Sequence, residues 1–176
     1  MYTQKTQFRD VIEGYYFIGK FTRFSIRATG RDKITLVMRD PIVLIDDDSD
    51  DRDLLAEVLE KIGQKRELEH FENGREALEY LRVTTDKPFI IICDLNMPIM
   101  NGLELKREIQ RDEYLRNKSI PFVFFSTAVA PATVMEAYHL CSQGFFLKES
   151  SFRELEETMN IIFRYWTKCK HPNAVR

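Results

Sequence analysis

The chain is poor in the residues that build several common kinds of site. Its 176 residues include three cysteines, Cys93, Cys141 and Cys169, with no CxxC pair among them. They read as reduced thiols of a cytoplasmic protein rather than as a disulfide framework, and for Cys93 burial is expected rather than redox chemistry. The three histidines, His70, His139 and His171, have neither metal-ligand spacing nor a paired nucleophile, so none is given a role. No apolar run approaches the roughly 18 residues that a membrane span needs. Tyr15-Tyr16-Phe17-Ile18 is too short for the core of a signal peptide. What remains, 44% hydrophobic and 31% charged residues, is the composition of an ordinary globule with a sizeable core.

The net charge of −2 conceals a split. Residues 1–40 carry eight Lys/Arg against four Asp/Glu, and the rest of the chain carries eighteen against twenty-four. The shift marks a boundary near Pro41, giving a basic segment 1–40, a domain over 41–170 and a tail over 171–176. In the first segment Thr22, Phe24, Ile26 and Ala28 alternate with Arg23, Ser25 and Arg27. A turn at Thr29-Gly30-Arg31-Asp32 leads to a second alternation at Ile34, Leu36 and Met38. The pattern fits a hairpin, a basic arm for nucleic acid or a partner, or a mispredicted start ahead of a true first residue at Met38. Nucleic acid is not the expected partner, since charge alone argues for it only weakly.

From Pro41 onward strand and helix signals alternate. Short apolar strands are expected at 42–45, 68–71, 89–93, 122–125 and 145–147. Helices are expected at 50–62, from Asn73-Gly74, at 103–111, at 131–143 with Gly144 as the stop, and at 152–168. In the third of these, Leu103, Lys106, Ile109 and, in part, Leu105 set the inward face. Near-continuously apolar strands mean a parallel sheet covered on both faces. The expected architecture is therefore α/β, a doubly wound five-stranded parallel sheet in the order 2-1-3-4-5. Right-handed crossovers then bring every strand's C-terminal end to one edge, and the first and third strands lie side by side at the switch point.

That edge collects chemistry. Asp46-Asp47-Asp48 end the first strand, Asp94 ends the third and opens the loop DLNMPIMNG, Ser126 ends the fourth, and Lys148 ends the fifth. Carboxylates from two adjacent strands form a hard oxygen site of the kind that binds Mg²⁺. A serine hydroxyl and a lysine ammonium are suited to phosphoryl oxygens, and Asp94 between a metal and a lysine can attack phosphorus to give an acyl phosphate. Asp48, and the Asp50 and Asp51 that follow it, also suit the start of the first helix as cap and dipole partners.

Residues 41 to about 168 resemble the receiver domain of bacterial two-component response regulators, a flavodoxin-like fold. The pieces that carry the resemblance are the acidic pair after the first strand, the Asp-x-x-Met-Pro-x-Met-x-Gly loop, Ser126, and Lys148 22 residues later. The resemblance implies that Asp94 is the phosphoacceptor, with self-catalysed phosphotransfer and autodephosphorylation rather than conventional enzyme turnover. It implies Asp47 as a direct Mg²⁺ ligand, Asp46 acting largely through water, and a backbone carbonyl ligand from Asn96. Ser126 would hydrogen-bond the phosphoryl group, Lys148 would pair with it, and Phe145 would be the aromatic whose rotamer changes on activation. The implied partners are a histidine kinase or histidine phosphotransfer protein and a downstream effector protein, with no membrane. Only Thr167 to Arg176 follow Trp166, so a stand-alone receiver is expected.

Two positions depart from the family's pattern. Glu149 stands where Pro usually follows the lysine, and Thr127 stands where a smaller residue is common. Two other readings remain. One is a degenerate receiver that binds a partner regardless of phosphorylation. The other is a phosphatase of the haloacid dehalogenase type, with Asp46 and Asp48 as nucleophile and acid/base, which leaves the 94–102 loop unexplained.

Overall fold

The computed structural model describes residues 16–17, 23–28, 34–127 and 130–172, with side chains over 40–127 and 130–172. The expected turn at 29–32, Thr22 and residues 173–176 lie outside the described residues. In chain order the elements are β1 (Tyr16–Phe17), β2 (Arg23–Ala28), β3 (Ile34–Ile45), α1 (Ser49–Lys61), β4 (Arg66–Phe71), α2 (Gly74–Val83), β5 (Ile90–Cys93), α3 (Gly102–Arg111), α4 (Glu113–Lys118), β6 (Phe122–Ser126), α5 (Pro131–His139), β7 (Gly144–Leu147) and α6 (Phe152–Lys168).

Five strands pair in parallel in the order β4-β3-β5-β6-β7, which is the 2-1-3-4-5 order of a flavodoxin-like sheet. Alternation along β3 divides the core. Val43 and Ile45 face a layer that contains Leu78, Leu81 and Leu105. Ile42 and Leu44 face the α1–α6 side, where Leu55, Val58, Leu59, Leu155 and Met159 pack. A side chain of this size contributes about 1.5–3 kcal/mol when fully buried, so the two layers make the sheet's position rigid. That rigidity fixes the strand ends where the site lies.

β3 is longer than the apolar run Ile42–Ile45 indicates. Its first part pairs antiparallel with β2, setting Phe24 opposite Met38, Ile26 opposite Leu36 and Ala28 opposite Ile34. Its last part pairs with β5. Pro41 lies within this strand, and the register against β4 shifts between Met38 and Ile42. A proline has no N–H for the ladder, so a register shift is where a strand accommodates one. No described helix is long and apolar enough to cross a membrane.

The helix expectations need three corrections. The segment after α3 holds a further helix, α4, because Asp112 ends one helix and its side chain caps the next through Leu115 N–H at 3.2 Å. α5 stops at His139 rather than Gln143, since Cys141 takes a left-handed conformation at φ 57°. Leu105 is fully buried rather than partly so.

Candidate functional site

The loop after β5 is shaped by close approach. Asp94 N–H donates to Ile45 O at 2.7 Å, which ties the end of β5 to the end of β3. Gly102 N–H returns to Leu95 O at 3.0 Å. A Cβ on Gly102 would stand 2.4 Å from Asp94 O, so only glycine lets α3 begin this close to the acid. Between them Ile99 is held at φ 66°, an uncommon conformation for a β-branched residue and a local strain next to the site. Asn101 and Glu104 then form a reciprocal capping box that starts α3.

At the end of β3, Asp46 is 4% exposed and its Oδ1 accepts from Asp48 N–H at 3.1 Å. Arg52 donates to the Asp46 carbonyl and reaches Glu72 at 3.4 Å. Asp48 caps α1, its Oδ1 accepting from the N–H groups of Asp50 at 2.9 Å and Asp51 at 3.4 Å. Asp47, exposed, completes a cluster in which one carboxylate oxygen from each of Asp46, Asp47 and Asp94 lies within 4.8 Å of the others.

Lys148 enters from the end of β7, whose pairing continues with Lys148 N–H donating to Ser126 O at 2.9 Å. Its ammonium donates to Asp46 Oδ2 at 2.6 Å and to Asp51 Oδ2 at 2.7 Å. Burial alone would lower the pKa of this lysine, but the hydrogen bonds to Asp46 and Asp51 and the charges of Asp46 and Asp94 outweigh it and raise it. Asp46 is pushed up, by burial first and by Asp94 in part, against the lowering effect of Lys148. Ser126, fully buried at the end of β6, has a hydroxyl with no hydrogen-bond partner among the described residues.

The strand ends thus bring Asp46, Asp47, Asp94 and Lys148 together. Asn96 is exposed two residues beyond Asp94. Phe145 is outside this group, half-buried with its ring 5.6 Å from that of Phe124. Glu149 and Thr127 are both exposed beside the site. Cys93 is fully buried, its thiol donating to Asp94 O at 3.0 Å, and burial raises its pKa well above the ordinary value. A protonated, inaccessible thiol has no redox role here.

Sequence reasoning missed Asp51 as a partner of Lys148. It sits in the first turn of α1, one turn beyond the acidic strand end, so its position already pointed at the same edge. Its assignment as a helix-dipole residue hid its reach toward the site.

Three carboxylates at this separation form a hard oxygen donor set suited to a small divalent cation. The orphaned Ser126 hydroxyl and the Lys148 ammonium are suited to an anionic group beside it.

Comparison with known proteins agrees with this fold. Over 121 residues the chain is 31% identical to the chemotaxis protein CheY1 of Helicobacter pylori, covering 69% of this chain and 94% of that one. It is similar in structure to a phosphorylated cyanobacterial phytochrome response regulator, RcpA, with a TM-score of 0.66 and 28% identity, over 73% of this chain and 94% of that one. It is similar also to the Mn²⁺-bound form of the response regulator Rcp1, with a TM-score of 0.65 and 26% identity, over 73% and 95% of the two chains. The family model of the response regulator receiver domain matches residues 42–160, and the chain belongs to that family.

Proposed function

We propose that Asp94 accepts a phosphoryl group from a histidine kinase or histidine phosphotransfer protein and that the modified domain signals to an effector protein. The observation that carries this reading is the meeting of Asp46, Asp47 and Asp94 with a lysine already held at the site, near a buried strand-end hydroxyl that has no partner among the described residues. An Asp94 carboxylate oxygen attacks the phosphorus of a phosphohistidine. The P–N bond breaks, the imidazole nitrogen leaves with the bonding pair and takes up a proton, and an acyl phosphate forms on Asp94. Attack of water on the same phosphorus later returns the carboxylate and releases inorganic phosphate.

Asp47 and Asp94 would hold Mg²⁺ directly, with Asp46 acting largely through water and Asn96 contributing its carbonyl. When bound, the ion neutralises charge on the transferring phosphoryl oxygens. Lys148 pairs with the phosphoryl group, and Ser126 donates its hydroxyl to it. Movement of Ser126 and Phe145 toward the new charge then shifts the population of the α5–β7–α6 face.

The phosphatase alternative requires Asp48 as a free acid/base. Its engagement with the first amides of α1 argues against that role. A receiver that binds its partner regardless of phosphorylation makes a different prediction in one experiment. Intact-mass spectrometry after incubation with acetyl phosphate, with and without Mg²⁺, is expected to show one added phosphoryl group on the wild type and none on Asp94→Asn. If neither acetyl phosphate nor a phosphohistidine donor modifies the wild type, the proposal fails and the phosphorylation-independent module takes its place.

A further inference from the structure

At the edge of the sheet opposite Asp94, a recess of about 310 Å³ opens between α3, α4, the start of β6 and the end of α6. That volume lies at the lower end of the range for small-molecule sites. Lys106 lines it, yet this lysine is only 3% exposed. Its ammonium lies 4.9 Å from the centre of the Phe122 ring, and among the described residues no oxygen accepts a hydrogen bond from it. A buried cation with no anionic partner is costly. Burial lowers the pKa of this lysine from 10.5 to about 8, against a smaller raising effect of Cys141, so at neutral pH it remains charged with no carboxylate partner among the described residues.

The walls state what that counter-charge is attached to. Among the described residues no Asp or Glu lines the recess, and Arg116 supplies a second cation at its rim. Ile109, Leu115, Ile120 and Trp166 give apolar surface. The two glutamines there are already engaged. Gln110 donates to Leu140 O at 2.9 Å, and the Gln143 amide bridges Phe122 N–H at 2.7 Å and Cys141 O at 2.9 Å. An anionic head on the cations and an apolar body against the apolar side chains therefore suit the recess.

We propose that this recess binds a small organic carboxylate with a flat apolar body, its head on the Lys106 ammonium and its body against Trp166 and Ile120. The site is separate from the phosphoacceptor edge and stands whether or not Asp94 is modified. Occupancy neutralises a buried charge that has no carboxylate partner among the described residues, and so stabilises the packing of α3 on β6.

Trp166 is the single tryptophan of the chain, so its fluorescence reports the recess directly. The test titrates the full chain with sodium benzoate, with the neutral isostere benzamide, and with inorganic phosphate, at constant ionic strength. Benzoate is expected to saturate the Trp166 signal with a dissociation constant on the order of 1 mM or tighter, with benzamide at least about tenfold weaker. Lys106→Met is expected to weaken benzoate by at least about tenfold while leaving acetyl phosphate labelling of Asp94 unchanged. Amide NMR shifts on benzoate addition are expected at residues 106–121 and not at Asp94. Absence of saturation, equal binding of benzamide, undiminished binding by Lys106→Met, or tighter binding of inorganic phosphate would each overturn the assignment.

Discussion

Replacing Lys106 by methionine is expected to stabilise the protein at neutral pH, although it removes a charged residue from a helix. The side chains are of similar length, so the change leaves packing nearly intact and removes the buried charge. Folding moves the lysine pKa from 10.5 down to about 8. At about 1.4 kcal/mol per unit, that displacement is a folding penalty of about 3 kcal/mol. Contact with the Phe122 ring returns part of it, on the order of 1 kcal/mol, so the net gain for Lys106→Met at pH 7 is about 1–3 kcal/mol. The pH dependence has a definite sign. Below pH 8 the lysine is protonated in both states, and the penalty is present in full. Between pH 8 and 10.5 the unfolded chain binds more protons than the folded one, so wild-type stability rises relative to the variant and the gap closes. Urea denaturation of both proteins at intervals from pH 7 to pH 10 measures this. The difference between them cancels the contributions of titrating groups that do not interact with Lys106, and Cys141→Ser in both proteins removes the one that does. A less stable Lys106→Met at pH 7, or a gap that does not narrow above pH 8, would refute the reasoning.

The site supports further predictions of the same kind. Asp51→Asn removes one of the two carboxylates on Lys148 and one negative charge near an anionic donor, so acetyl phosphate labelling of Asp94 is expected to accelerate about two- to fivefold, the scale of a partly exposed ion pair; slower labelling in a mass-spectrometric time course would contradict it. Ser126→Ala should still accept a phosphoryl group but lose most of the conformational response, read as amide NMR shifts in 131–147 on phosphorylation. Gly102→Ala forces a Cβ against Asp94 O and is expected to destabilise by more than about 2 kcal/mol, visible as a lower urea midpoint. Burial lowers the pKa of His171 despite its hydrogen bond to Phe89 O at 2.7 Å. The stability this group contributes is therefore present above its unfolded value of 6.5 and lost as pH falls through the lower folded value, a loss that His171→Phe should reduce in acid denaturation.

The layered fold was legible because each strand's core is a short apolar run and each turn at the functional edge carries a chemically distinctive residue. Asp46, Asp94, Ser126 and Lys148 end strands that the apolar pattern alone locates, and β-α alternation then dictates that they share one edge. What was hidden depends on contacts distant in sequence. α4 starts at an Asp that caps it, with no glycine or proline to announce the break after α3. The end of α5 is set by Gln143, whose side chain takes the Phe122 N–H and whose own N–H donates to Phe122 O. That arrangement pulls the chain out of the helix at Leu140 and Cys141, where periodicity predicts one more turn. The isolation of Lys106 was also invisible, because an inward lysine at helical spacing looks the same whether or not an acid waits for it.

The two edges of the sheet treat buried charge in opposite ways, and the difference bears on how each responds to a ligand. At the edge that holds Asp94, Lys148 already has two carboxylate partners. Under the proposed function, a phosphoryl group on Asp94 would offer it an exchange of partners, whose net gain is smaller than that of a new ion pair formed from a free cation. The buried Ser126 hydroxyl has no partner among the described residues, so a hydrogen bond to a charged phosphoryl oxygen would contribute about 1.5–3 kcal/mol. Complete switching between two states takes a bias of about 5 kcal/mol, so on that proposal the serine would supply a large share and the lysine would mainly position the charge. Lys106 at the far edge is in the condition of Ser126 rather than of Lys148. Among the described residues it has no carboxylate to leave, and an anion reaching it gains the interaction undiminished. A weak anionic ligand there can therefore stabilise the fold measurably, while at the Asp94 edge an anion must compete with the carboxylates that already hold Lys148.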